Sequence, residues 1–234
     1  MATVTKVTLA GESGQITEII QIGPAHLVRH RTWSGLDPLV EACATAGLEV
    51  SAVRLGSVPD LTHRPDVWLI SDLPLIAADE FGILEVLVAD VPSKSGLIVV
   101  GGAFSFAGLD GVGGWQDPRG AAILPVALQP YADATERPAG VQLVPSPECP
   151  DDLVRLLTAA PPFFGYNLVA PLENATVLAR FDDGAPALVA SRAEPNRSIA
   201  FTSDLLPHWA PAGAGWDGLP AFLRALCDLA RGSR

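Results

Sequence analysis

Ser105, Asp204 and His208 are the side chains of this sequence whose types and settings suit nucleophilic or acid–base chemistry. Ser105 lies in Gly101-Gly102-Ala103-Phe104-Ser105-Phe106-Ala107-Gly108, directly after the apolar run Gly96 to Val100. Glycines at such a place allow a tight turn and a close approach of backbone to ligand. The run has no GxGxxG dinucleotide fingerprint, and no Gly-Lys-Ser/Thr follows as in a Walker loop. It also departs from the GxSxG elbow, because Ala103 and Ala107 replace the two glycines. Ser105 therefore reads in two ways: a nucleophile or ligand donor, or a turn serine bonded to its own backbone. Asp204 and His208 lie in the stretch Ser203 to Trp209. A carboxyl beside an imidazole that titrates near neutral pH can form an acid–base or orienting pair. The plainer alternative has Asp204 capping the next turn and His208 packing beside Trp209.

A second group of residues could hold a substrate. Asp72 follows the run Val67 to Ser71, and it either reaches a pocket or caps a turn. Tyr166 and Asn167, in PPFFGYN, offer a hydroxyl beside an amide. Tyr166 alternatively belongs to an aromatic cluster with Phe163 and Phe164. With Glu12, Gly101, Gly102, Phe104 and Trp209 these complete the expected binding set. His26, His30 and His63 have no convincing partners for a metal, so no metal and no cofactor are expected.

The elements that would position these residues alternate between strand and helix. Thr3 to Ala10, Leu48 to Leu55, Val67 to Ser71 and Gly96 to Val100 read as strands. Asp37 to Ala46 and Asp79 to Ala89 read as helices, the first with Asp37 as cap, Pro38 in its first turn and Gly47 at its end. That alternation predicts βαβ units and a parallel sheet covered on both faces. After Gly101 the pattern changes. Gly108 to Gly120 reads as a surface loop, Leu124 to Leu128 as a strand and Cys149 to Thr158 as a short helix. Phe163 to Val169, Thr176 to Phe181, Ala187 to Ser191 and Ser198 to Thr202 read as partly antiparallel strands, and Leu219 to Arg231 as an amphipathic closing helix. One domain of 234 residues is the simplest division. Ligands of open α/β sheets bind outside the carboxyl ends of the strands. The search thus narrows to Gly11–Gly14, Ser71–Pro74, Gly101–Gly108 and Ser203–Trp209.

Composition sets the remaining bounds. Hydrophobic residues make up 49% and charged residues 18%, enough apolar material for a substantial core. The formal net charge of −11 and the absence of a basic stripe argue against nucleic acid and against an anionic membrane surface. A small polar metabolite is the expected partner, with a homo-oligomer as a further expectation. Cys43, Cys149 and Cys227 are odd in number and form no CxxC, which argues against a disulfide framework or cysteine zinc site. The start has no apolar segment after a basic one and no run approaches membrane-spanning length, so a cytoplasmic location is expected.

LISDL at 69–73, IVVGGAFSF at 98–106, LPVALQPY at 124–131, PPFFGYN at 161–167 and FTSDLLPHWAP at 201–211 occur in that order. Together they resemble the glutamine amidotransferase-like domain family, a relative of the trehalose-utilisation ThuA-like proteins. The resemblance runs from about residue 60 to 230. It implies a flavodoxin-like, class I glutamine amidotransferase-like three-layer α/β fold, with a mostly parallel central sheet and extra antiparallel strands in the C-terminal half. It also implies a nucleophile position after the fourth strand and a histidine region after the last core strand. Active glutaminases of this fold carry Cys in a GxCxG turn and a Glu two residues after the His. Here the turn reads GGAFSFAG, and no Glu stands two residues after His208. Two functions follow. The first is a hydrolase or related acid–base enzyme without glutaminase chemistry, in which the Gly101 and Gly102 amides stabilise an oxyanion. The second is a non-catalytic binding or oligomeric module, with Trp115 and Trp209 as interface anchors or as shields of the pocket floor.

Overall fold

A computed structural model describes residues 6–11, 37–54, 65–92, 95–191, 197–206, 208–210 and 216–232. The first half alternates as the sequence predicts: β1 (Lys6–Gly11), α1 (Asp37–Thr45), β2 (Glu49–Arg54), β3 (Val67–Ser71), α2 (Leu75–Glu80), α3 (Ile83–Asp90) and β4 (Gly96–Val100). One predicted helix, Asp79 to Ala89, is instead two. Gly82 has φ of 70°, a left-handed conformation that closes α2 and restarts the chain as α3. The glycine-rich segment holds a single 3₁₀ turn, Leu109–Gly111, and then α4 (Pro118–Ala121). The second half contains β5 (Val126–Ala127), β6 (Ala134–Val141), β7 (Leu143–Pro145), α5 (Asp151–Thr158), β8 (Phe163–Asn167), β9 (Ala170–Pro171), β10 (Ala175–Phe181), β11 (Pro186–Ser191), β12 (Ser198–Phe201) and α6 (Leu219–Arg231).

Eight strands form one sheet in the order β2-β1-β3-β4-β12-β11-β10-β7. The pairings from β2 to β12 are parallel, and those from β12 to β7 are antiparallel. The parallel part has the 2-1-3-4-5 order of flavodoxin-like sheets. Its strands are apolar along their length because both faces are covered. On β3, Val67 and Leu69 face one core with α1, α5 and α6, while Trp68 and Ile70 face the other with α2 and α3. Every residue of β3, β4 and β12 is buried. The structure thus has the expected three-layer α/β architecture, mostly parallel with antiparallel strands in the C-terminal half. No helix among the described residues is long and apolar enough to cross a membrane.

Outside the sheet, β6 pairs antiparallel with β8. β6 is not among the strands expected from the sequence, and it contains Pro138 and Gly140, which disfavour a regular strand. A register shift between Glu136 and Val141 accommodates both residues.

Candidate functional site

The turn after β4 is built by hydrogen bonds from its neighbours. Gly101 N donates to Phe201 O at 2.8 Å, continuing the sheet. Gly102 N donates to Asn167 Oδ1 at 2.9 Å, and Phe104 N donates to Asp72 Oδ1 at 2.6 Å. A Cβ on Gly102 would stand 2.3 Å from Asp72 Oδ1, and φ there is 152°. Glycine is therefore required for the Asp72 carboxyl to lie against the turn. Asp72 itself has φ of 49° and Phe106 of 54°, conformations that non-glycine residues adopt at a cost.

Ser105 is fully buried, and its hydroxyl donates to Val100 O at 2.6 Å while accepting from Asp72 N at 3.2 Å. This is the turn-serine geometry, and it leaves the Ser105 proton inside the turn. The amides of Gly101 and Gly102 are both engaged, so the oxyanion role expected of them has no donor to perform it.

Asp133 ties the far end of the same turn. Its Oδ2 accepts from Ala107 N at 2.9 Å, and its Oδ1 accepts from Gly108 N at 2.7 Å and from Asn167 Nδ2 at 2.8 Å. Burial raises the pKa of this carboxyl, and the bonds from Asn167 and the two amides oppose that rise. Nothing in the local sequence marks Asp133, because its donors come from residues 25, 26 and 34 positions away.

The segment after β12 supplies the acid–base groups. Asp204 is 0% exposed. Its Oδ1 accepts from Leu206 N at 2.8 Å, the capping role anticipated as the plainer alternative, while Oδ2 has no hydrogen-bond partner. Burial, then the nearby Asp72 carboxyl, raise its pKa well above the usual range. His208 Nδ1 stands 3.9 Å from Asp204 Oδ2, and Nε2 stands 3.6 Å from Glu136 Oε1. The imidazole also stacks on the Trp209 indole, with centroids 4.9 Å apart and 23° between planes. Glu136, from the unanticipated β6, thus places a carboxylate beside His208 that the sequence near His208 lacks.

Asp72, Gly101, Gly102, Phe104, Ser105, Asn167, Asp204, His208 and Trp209 are brought together at the carboxyl ends of β3, β4 and β12. Tyr166 is not. Successive residues of a strand point to opposite faces. The face that carries Asn167 also carries Gly165, whose missing Cβ would meet Trp209. Tyr166 lies on the opposite face, stacked on Phe181, where it donates to Asp183 Oδ2 at 2.6 Å and accepts from Arg137. Burial and Asp183 push its hydroxyl up to about 12. Trp115 and Trp209 are both fully buried, Trp115 donating through Nε1 to Leu73 O, so neither can anchor an interface. Glu12, His26, His30 and His63 lie outside the described residues. No group of three or more His, Cys, Asp or Glu placed to hold a metal occurs among the described residues.

The three cysteines are buried in other parts of the molecule: Cys43 in α1, Cys149 just before α5 and Cys227 in α6. Burial pushes the Cys43 thiol up to about 12 and raises that of Cys227 as well. Neither is a ready thiolate.

Comparison with known proteins agrees with the fold. A cytoplasmic protein of Salmonella typhimurium LT2 is 24% identical, with a TM-score of 0.78 over 97% of this chain and 100% of that one. A second cytoplasmic protein of Salmonella typhimurium is also 24% identical, with a TM-score of 0.76 over 95% of this chain and 98% of the other. A β-galactosidase from Rahnella sp. R3 shares the fold at 12% identity and a TM-score of 0.56, over 95% of this chain but 30% of its own. Among curated proteins, none matches the sequence. A family model described as putative glutamine amidotransferase matches residues 54–229, and the chain belongs to that glutamine amidotransferase-like family.

Proposed function

We propose that this protein binds a small polar metabolite at the carboxyl ends of β3, β4 and β12, and acts on it by acid–base chemistry rather than by glutaminase thiol chemistry. Asp204 supplies the proton and His208 exchanges it, while Asp72, Phe104 and Asn167 shape the pocket wall. The observation that carries this reading is the fully buried Asp204, beside the strained Asp72 and 3.9 Å from an imidazole nitrogen. Burying two carboxyls together and straining the backbone at one of them both destabilise the fold. Groups perturbed in this way concentrate at functional sites. Hydrolysis is the reaction class we favour, with the attacking group a water rather than Ser105. The two Salmonella proteins of similar fold are described as cytoplasmic, and we place this protein there too.

A second reading is a binding module without turnover. The engagement of the Ser105 hydroxyl and the Gly101 and Gly102 amides favours it. Both readings use the same pocket, and a thermal-shift screen against glutamine, sugars, sugar acids and small amides tests the pocket itself. A ligand at about 100 times its Kd adds about 2.7 kcal/mol. The expected result is a hit that disappears in Asp204→Asn and His208→Gln. A hit retained by both variants, or none at all, overturns the assignment. Turnover of the hit then separates enzyme from module.

A further inference from the structure

We infer that Glu136 is the residue through which the buried Asp204 exchanges its proton with water, by way of His208. This rests on the acid–base reading of Asp204 and His208. The three groups form a gradient of exposure: side-chain accessibility is 67% for Glu136, 14% for His208 and 0% for Asp204. The two imidazole nitrogens each face one carboxyl group, Nε2 the exposed Glu136 at 3.6 Å and Nδ1 the buried Asp204 at 3.9 Å. A carboxyl sealed from solvent changes protonation only through a group that reaches water. Imidazole is suited to that task because it takes a proton at one nitrogen and gives one from the other.

The scaffold holds this arrangement. Trp209 Nε1 donates to the same Glu136 Oε1 at 3.1 Å, so the indole under His208 also fixes the carboxylate beside it. Glu136 pairs with Gly165 across β6 and β8, and a Cβ on Gly165 would stand 2.3 Å from the indole nitrogen. Gly165, Trp209 and Glu136 therefore fit together as one unit. Asp204 from its own loop and Glu136 from β6 are charged groups within 4 Å of His208. Asp72, at the end of β3, acts on Asp204. Arg137, next along β6, is paired with Asp183 on the opposite side.

The proton balance closes with water alone. A proton passes from solvent through Glu136 to Nε2, giving an imidazolium. The Nδ1 proton then passes to Asp204 Oδ2, leaving a neutral ring protonated on Nε2 and a neutral acid. The reverse sequence releases the proton. Both separations exceed a hydrogen bond by under about 1 Å, and catalytic contacts commonly tighten by such amounts when substrate binds.

The test is NMR of the full-length isotope-labelled chain, with the His208 signal assigned by His208→Gln. Glu136→Gln removes the charge but keeps an oxygen acceptor for Trp209, so a purely structural role would leave the titration of His208 unmoved. A neighbouring carboxylate favours the charged imidazole. Glu136→Gln should therefore lower the proton affinity of His208 by about tenfold, the low end of the range for a nearby charge, because Glu136 is largely exposed. It should also slow proton exchange at the Asp204 carboxyl, read from its ¹³C signal, with the melting temperature nearly unchanged. Glu136→Asp should restore part of both. An unchanged His208 titration in Glu136→Gln overturns the relay. If the Asp204 carboxyl still titrates above the ordinary aspartate range, only the relay falls. If it titrates in the ordinary range, the Asp204–His208 pair beneath it falls too.

Discussion

Replacing Asp204 with Asn probes the buried acid pair through stability alone. Asn keeps an oxygen to accept from Leu206 N, now 2.8 Å from Oδ1, and places a donor where the protonated acid carries its own. At low pH, with the acid neutral in folded and unfolded chains alike, the substitution is close to isosteric and should cost no more than about 1 kcal/mol. Above the ordinary aspartate value of 3.8 the unfolded chain loses this proton, while the folded chain retains it because of burial and Asp72. A folded pKa above the unfolded one gives stabilisation that is full below the unfolded value and is lost as pH climbs toward the folded one. The loss is about 1.4 kcal/mol per pH unit within that window. Asn does not titrate, so the stability of the variant relative to the parent should rise with pH at that slope and then level off. For a chain of this size 1 kcal/mol is about 2–4 °C in Tm, so the relative Tm should climb about 3–6 °C per pH unit. Calorimetric melting of both proteins at fixed ionic strength, from about pH 4 to 8, reads this directly. A difference that stays flat over that range refutes the reasoning, because it means that the folded chain ionises Asp204 like any exposed aspartate.

Gly102→Ala should lower unfolding free energy by about 2–4 kcal/mol in urea, since a Cβ there meets Asp72 Oδ1 at 2.3 Å in a conformation disfavoured for alanine; a loss below about 1 kcal/mol would mean that the turn relaxes freely. Asp133→Ala removes the acceptor for two amides and the Asn167 side chain, and should cost about 3 kcal/mol or more by the same measurement. Tyr166→Phe should cost about 1 kcal/mol through the lost bond to Asp183, and should leave any ligand-induced thermal shift unchanged. The native chain should react with a thiol-specific disulfide reagent far more slowly than the denatured chain at neutral pH, because all three cysteines are buried; fast modification of one thiol in the native chain would reopen thiolate chemistry.

The parallel half of the fold was legible because its strands are buried on both faces and so appear as unbroken apolar runs, as in Val67–Ser71 and Gly96–Val100. The closing helix was legible through its single apolar face, carried by Phe222, Leu223, Leu226 and Ala230. The break at Gly82 has no signal in the sequence pattern, because the apolar residues continue on either side of it. The strand β6 is held by pairing with β8 rather than by its own composition, so ATERPAGV carries no strand signal. The site divides along the same line. Asp72, Asp204 and His208 follow strands in sequence, and the carboxyl-end rule finds such residues. Asp133 and Glu136 act across long sequence separations, as the 73-residue step from Glu136 to Trp209 shows, and no local pattern encodes that. Tyr166 and Asn167 are neighbours with equal claims in the sequence, and only the alternation of β8 separates them.

The carboxyl carbon of Asp204, followed by ¹³C NMR across pH with and without a ligand from the thermal-shift screen, tests the central claim most directly. The signal is assigned by its absence in Asp204→Asn. The account predicts a carboxyl that keeps its proton well above the range of ordinary aspartates, and whose midpoint moves when the ligand binds. An Asp204 that titrates in the ordinary range, and that the ligand leaves unmoved, would contradict the acid–base site.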